Sequence, residues 1–210
     1  MAPASDPASA QVMVFDLGGV LCQFQPERRL SALSHASSLS VEEVSGRLNE
    51  SRLIERADRG ELSRIAEFQE GAALLGLQCD YPAYRALWCS AFTPNPDVIT
   101  IARDLRRQVR TVLLTNNALV LHDALAHELE IVGRELDDAF VSAMFGATKP
   151  DPAVFLGVEQ ALRSPSQNLT LIDDSSANVA GAIRAGWSGI TFTSARRLLA
   201  DLAILTRNAR

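Results

Sequence analysis

The sequence predicts an α/β chain: a parallel sheet wound with helices on both faces, interrupted by one long helical insertion. Three observations carry this. Apolar runs end abruptly in polar loops: Gln11–Leu17, with Asp16, before Gly18-Gly19; Val112–Leu114 before Thr115-Asn116-Asn117; and Leu169–Ile172 before Asp173-Asp174. Runs apolar at every position suit strands buried on both faces. Helical patterns lie between them, and alternating strands and helices imply a parallel sheet. Residues 21–95, by contrast, hold helical spacing and no convincing strand. A chain of 210 residues has room for one domain with an insertion, or two small ones, and buries roughly 70% of its unfolded surface.

The elements follow in order. Met1 to Ala10 is rich in Ala, Ser and Pro, with no basic start and no apolar stretch; it reads as a tail and not a signal peptide. After the first strand, the insertion holds about four amphipathic helices, near 27–37, 41–58, 63–76 and 82–92. Ser40 with Glu43 forms a capping box ahead of Val41, Val44, Leu48 and Ile54. Ile65, Phe68, Ala72 and Leu75 keep helical spacing, with Gly76 as the stop. Asn95-Pro96-Asp97 supplies an N-cap, a proline and an acid at the start of a helix carrying Val98, Ile101 and Leu105. Asp151-Pro152 repeats the device ahead of Val154, Phe155 and Val158. Shorter strands are expected at Phe140–Ala143 and Gly189–Phe192. A helix from about Ser176 to Gly186 places Val179 and Ile183 on one face, and a last helix starts at Ser194. The organisation is then a tail (1–10), a core (11–20 and 96–210) and a helical cap (21–95), without internal repeats.

Composition narrows the function. The net charge is −5, with 47% hydrophobic and 21% charged residues, which disfavours nucleic acid or an anionic membrane as partner. No run nears the roughly 18 apolar residues that span a bilayer. Cys22, Cys79 and Cys89 are odd in number and lack zinc spacing, so they read as reduced packing residues of a cytoplasmic protein.

In parallel sheets, ligands gather at the C-terminal ends of the strands. Four polar elements fall there in chain order: Asp16, Thr115-Asn116, Lys149-Pro150, and Asp173-Asp174 with Asn178. Of 20 basic residues, 19 are arginine, and Lys149 is the single lysine. Together these supply a nucleophilic carboxylate, a hydroxyl with adjoining N–H groups, a cation and an acidic pair able to hold a hard divalent metal such as Mg2+. That inventory suits phosphoryl transfer, which needs an in-line nucleophile and charge neutralisation. Each piece alone has an ordinary structural reading, as loop residue, turn or helix cap; their order and strand context give them weight.

Val-Phe-Asp-Leu-Gly-Gly-Val-Leu (14–21), Leu-Leu-Thr-Asn-Asn (113–117), Thr-Lys-Pro-Asp-Pro (148–152) and Leu-Ile-Asp-Asp-Ser-Ser-Ala-Asn-Val (171–179) resemble the four motifs of the haloacid dehalogenase-like hydrolase superfamily. The likeness runs from about residue 11 to 205. It implies a Rossmann-like doubly wound core with a small, four-helix-bundle-like cap between the first two motifs. Within the family the chain is most similar to small sugar-phosphate phosphatases of the alpha-glucose-1-phosphate phosphatase kind. The resemblance implies that Asp16 attacks phosphorus; that Asp16, the Gly18 carbonyl and Asp174 hold Mg2+, with Asp173 beside the metal or binding its waters; that Thr115 and the Asn116 N–H grip phosphate oxygens; that Lys149 neutralises charge; and that Asn178 orients the acidic pair. The implied substrate is a small phosphorylated molecule.

One position departs from the family. Most of its phosphatases carry an aspartate two residues after the nucleophile, as proton carrier; here it is Gly18. Such acid–base help is worth about 10²–10⁴-fold. Three readings follow: a phosphatase with another proton route, a metal-free haloacid dehalogenase, or a low-turnover phospho-accepting or binding protein. The retained Asp173-Asp174 pair favours the phosphatase. A signalling receiver domain fits less well, because there the acidic pair ends the first strand. Gln23 and Phe24, in the loop after the first motif, are specificity candidates, followed by Arg52, Glu55 and Arg56. His35, His122 and His127 lack metal spacing and read as surface or packing residues. Trp88, Phe92, Tyr81 and Tyr84 are expected to pack the last helix of the insertion, with one of them facing substrate.

Overall fold

The computed structural model describes residues 11–208; the expected tail, 1–10, lies outside them. Five strands build one parallel sheet. They are β1 (Val12–Phe15), β4 (Arg110–Thr115), β5 (Asp138–Val141), β6 (Leu169–Asp173) and β7 (Ser188–Thr191), in the order β5-β4-β1-β6-β7. The chain leaves β1 toward one edge and returns to the other, so β1 is central and the order reverses beside it. The register sets Phe15 between Leu113 and Ile172, Thr115 opposite Val141 and Asp173 opposite Thr191. The polar ends of β1, β4 and β6 therefore share one edge of the sheet.

Alternation along these strands feeds two apolar layers. Met13, Phe15, Leu113 and Ile172 meet Val98 and Ile101 of α6 (Pro96–Arg106), Leu121 of α7 (Leu119–Ala124) and Leu198 and Leu202 of α11 (Ala195–Asn208). Val12, Val14, Val112, Leu114 and Leu171 meet Val154, Phe155 and Val158 of α9 (Pro152–Leu162) and Ala182 of α10 (Ser176–Arg184). Each fully buried side chain of this size contributes about 1.5–3 kcal/mol. The short α8 (Glu130–Gly133) completes the β4–β5 crossover. The fold is thus the doubly wound α/β architecture expected from the sequence.

The insertion contains α1 (Pro26–Ser37), α2 (Val41–Ser51), α3 (Leu53–Asp58), α4 (Arg64–Leu75) and α5 (Tyr81–Cys89). Leu33, Val44, Leu48, Leu53, Leu75, Tyr84 and Trp88 form its interior, which extends onto Ala118 and Val120 of the core. Polar ties cross the same seam. Asp123 of α7 accepts from Arg64 at 2.8 Å and from the Tyr81 hydroxyl at 2.6 Å, and Arg85 donates twice to Glu128. No helix among the described residues is long and apolar enough to cross a membrane, and all three cysteines are free.

Several local expectations are corrected. The stretch 21–95 does contain strand: β2 (Cys22–Phe24) pairs antiparallel with β3 (Phe92–Pro94). Three-residue strands at the two ends of an insertion give too few alternations to show as a period. The fourth expected helix therefore stops at Cys89. The helix expected over 41–58 is two helices, because Arg52 adopts a left-handed conformation (φ 52°) that closes α2 through its N–H to the Asn49 carbonyl. The strand expected at 140–143 ends at Val141; Ser142–Met144 is a 3-10 turn whose Ser142 hydroxyl bonds elsewhere. Asn95 caps α6 without a side-chain bond, its amide donating instead to the Val20 carbonyl. Val41, Ile65 and Ile183, expected on buried faces, are exposed. The Ser40–Glu43 capping box and the Gly76 stop are present.

Candidate active site

Asp16 follows β1 directly, its N–H extending the ladder to the Ile172 carbonyl at 2.9 Å. The next turn is tight: Cys22 N–H donates to Leu17 and Gly19 N–H to Cys22, both at 2.7 Å. Gly19 sits at φ +78°, and a β-carbon there would overlap the Asp174 carboxylate. The glycine thus lets the first loop close onto the fourth motif. Gly18 differs. Its φ is not positive, and a β-carbon would meet Phe24 at an ordinary 3.4 Å, so the backbone does not demand glycine there.

Lys149 organises the centre. Its side chain is 1% exposed, and its ammonium has three protons, each with a partner: Asp16 Oδ1 at 2.9 Å, the Leu114 carbonyl at 2.7 Å and Asp173 Oδ2 at 2.6 Å. Its backbone is clamped by Asn116, which accepts from the Lys149 N–H at 2.7 Å and donates to its carbonyl at 2.8 Å. The following Lys149–Pro150 bond is cis. Asp173 is saturated as well. Its Oδ1 accepts from Ser175 N–H at 2.9 Å, Asn178 Nδ2 lies 3.0 and 3.1 Å from its two oxygens, and Oδ2 also takes Lys149. Asn117 Nδ2 donates to the buried Thr115 hydroxyl oxygen at 2.8 Å.

The charge balance is unequal. Asp16, Asp173 and Asp174 each offer an oxygen within 4.8 Å of the others, and one ammonium serves all three. Burial would lower the Lys149 pKa, but Asp16 and Asp173 outweigh it and hold the ammonium above its usual range. Burial raises Asp16, reinforced by the Asp173 charge and opposed by Lys149. Asp174 is raised by burial and then by Asp173. Three carboxylates with one cation form a site short of positive charge, and an oxygen-rich donor set of this kind fits a hard divalent metal. Because both Asp173 oxygens already serve the protein, Asp16 and Asp174 are the carboxylates with lone pairs to spare.

A cavity of about 440 Å³ opens over this centre, lined by Asp16, Gly18, Thr115, Lys149 and Asp174 below and by residues of the insertion above. Of the residues singled out in the sequence, the structure brings Asp16, Gly18, Phe24, Thr115, Asn116, Lys149, Asp174 and Asn178 to this lining, with Asp173 directly beneath. Gln23 is not among them: side chains alternate along a strand, and Gln23 pairs with Thr93 on exposed β2 while Phe24 packs on Phe92 at 5.1 Å. Phe92 lines the cavity; Tyr84 and Trp88 are buried in the helices. Arg52 and Glu55 line an adjoining hollow, whereas Arg56 pairs with Glu70. Arg29, Ile54, Asp58 and Asn117 also line the cavity and were missed. Nothing in α3's Leu-Ile-Glu-Arg-Ala-Asp separates Asp58 from Glu55 in the sequence.

The chain is similar to known proteins in both sequence and fold. The family model for haloacid dehalogenase-like hydrolases matches residues 10–186. A phosphatase of Mycobacterium tuberculosis, MT3486, is 27% identical over 186 residues, covering 85% of each chain. The D-ribitol-5-phosphate phosphatase of Bacteroides thetaiotaomicron is 23% identical over 174 residues, 80% of this chain and 84% of that one. Among solved structures, a family enzyme from Bacteroides thetaiotaomicron in complex with magnesium and inorganic phosphate superposes with a TM-score of 0.73 at 18% identity, over 88% of this chain and 94% of that one.

Proposed function

The chain belongs to the haloacid dehalogenase-like hydrolase family, and on that footing we propose that it is a magnesium-dependent phosphatase of small phosphomonoesters, sugar phosphates among them. The observation that carries this is the buried ammonium of Lys149, held by Asp16 and Asp173 beside the carboxylate of Asp174. A fixed cation and a metal-ready acidic pair around one carboxylate suit a substrate with several negative oxygens. The phosphatase activities named for the relatives at 27% and 23% identity support the same reading.

In this reading, Asp16 attacks phosphorus and forms an aspartyl-phosphate, dividing one hard hydrolysis into two easier steps. Thr115 and the Asn116 N–H hold phosphate oxygens. Lys149 offsets the charge crowded between Asp16 and the phosphate, and Asn178 keeps Asp173 turned toward Lys149. Asp16, the Gly18 carbonyl and Asp174 would hold magnesium, which when bound supplies charge neutralisation at the phosphate. The five inserted helices form a cap over the leaving-group side of the cavity, where Phe24, Ile54 and Phe92 are apolar contacts.

The competing reading, metal-free halide displacement, draws support from Gly18 alone. It gives no use for the oxygens of Asp174. The test is release of phosphate and of chloride from panels of phosphomonoesters and 2-haloacids, with magnesium and with chelator. Phosphate release that stops on chelation is expected. Chloride release that survives chelation would reverse the assignment.

A further inference from the structure

The fold leaves one carboxyl in the cavity without a task. Five lining residues ionise. Asp16, Lys149 and Asp174 belong to the catalytic centre already described, and the other two, Arg29 and Asp58, come from the insertion. Asp58 is the last residue of α3. Its carboxyl makes no hydrogen bond or ion pair among the described residues. Its backbone, however, is fixed to the core. The Ser142 hydroxyl donates to the Asp58 carbonyl at 2.7 Å, and Ser142 Oγ itself accepts from Asn117 N–H at 3.0 Å. Asn117 in turn donates to Thr115. Two residues on, Gly60 (φ +72°) packs so closely that a β-carbon would run into the Ala143 carbonyl. The end of α3 is therefore pinned to the loop that carries the phosphate-binding candidates.

The geometry points to Asp58 as the proton carrier of the proposed phosphatase reaction, standing in for the carboxyl that Gly18 does not provide. The inference rests on the phosphatase reading above. In the first half-reaction, an Asp16 oxygen bonds to phosphorus while the bond to the leaving oxygen breaks, and that oxygen takes the proton of the Asp58 carboxyl to depart as an alcohol. In the second, the Asp58 carboxylate takes a proton from water, the water oxygen bonds to phosphorus, and the bond to Asp16 breaks. Inorganic phosphate leaves, with Asp16 ionised and Asp58 protonated as at the start.

Its surroundings suit that cycle. Burial pushes the Asp58 carboxyl up to about 7, with Arg29 pulling against it, and a group that titrates near the working pH can give and take a proton. The charged groups facing it are Arg29 from α1 and Glu67 from α4, with Asp16, Lys149 and Asp174 across the cavity. Arg52, Glu55 and Arg59 line the adjoining hollow. Glu67 is raised to about 8, first by burial and then by Asp58.

The test is Asp58→Asn in the full chain with magnesium, assayed on two substrates. Glycerol phosphate needs its leaving alkoxide protonated; 4-nitrophenyl phosphate does not. Turnover of glycerol phosphate is expected to fall about 10²–10⁴-fold. The unaltered protein should lose kcat/KM as pH rises above about 7, and that fall should be absent in the variant. With 4-nitrophenyl phosphate the first step should persist and the second slow, giving a burst of one nitrophenolate per chain and a phosphoryl group trapped on Asp16. An equal loss on both substrates without a burst, or no loss on either, would overturn the inference. If the unaltered protein releases no phosphate from either substrate with magnesium, the phosphatase reading itself has failed.

Discussion

Among the described residues, two buried charged clusters are built in opposite ways. At the strand ends, Lys149, Asp16 and Asp173 lie within a single network in which every ammonium proton and both Asp173 oxygens have partners. In the inserted helices, Arg29 and Glu67 are 6% and 1% exposed, yet Arg29 Nη2 and both Glu67 carboxyl oxygens have no hydrogen-bond partner among the described residues. Arg29 is held by its Nε–H to the Trp88 carbonyl at 2.7 Å and by the Trp88 ring, 4.9 Å from its guanidinium. A satisfied network fixes charge in place, as a preorganised site requires. An unsatisfied one keeps its acids near neutral protonation states, because burial of a carboxylate without donors is costly. The first cluster holds charge, and the second holds protons.

Each cluster can be perturbed by a single substitution. Lys149→Ala turns the satisfied cluster into an unsatisfied one. Phosphate release should fall about 10²–10³-fold, and urea unfolding should show a loss of about 3–5 kcal/mol, because two carboxylates are stranded in the interior. A loss under 1 kcal/mol would mean water reaches the network freely. Glu67→Gln works on the other cluster. Glu67 is raised to about 8 when folded against about 4.3 when unfolded, so its contribution to stability is complete below the unfolded value and is lost as pH rises through the folded one. The unaltered protein should therefore lose stability relative to Glu67→Gln from pH 5 to 8, by about 2–4 kcal/mol in total. Urea midpoints at the two pH values measure it, and parallel midpoints would show that Glu67 is solvated. Asn178→Ala has the smallest expected effect, since it removes one orienting donor from Asp173 and leaves Ser175 and Lys149 in place. A 10–100-fold loss of metal affinity or activity is expected, read from a magnesium titration of turnover.

The satisfied cluster was legible in the sequence because its parts sit where β1, β4 and β6 stop. An apolar run that ends at Asp16, Thr115 or Asp173 announces both the strand and the edge on which the residue emerges, and the lone lysine among arginines marks Lys149. The unsatisfied cluster was not legible. Arg29, Asp58 and Glu67 each occupy one turn of a short amphipathic helix rich in charge, and which charge turns inward depends on how five helices pack. The left-handed Arg52, which splits α2 from α3 and sets the direction of Asp58, carries no glycine to signal it. The three-residue strands β2 and β3 were hidden for a similar reason, since Gln23 and Phe24 part ways only once the ribbon exists.

In the proposed reaction the carboxylate at position 16 carries the phosphoryl group. The direct measurement is to acid-quench the full chain during magnesium-supported turnover of 4-nitrophenyl phosphate, reduce acyl-phosphates with borohydride and map the peptides by mass. Conversion of residue 16 to homoserine is the expected result, absent in Asp16→Asn, which should not turn over. A phosphoryl group trapped on any other side chain, or undiminished turnover by Asp16→Asn, would contradict it.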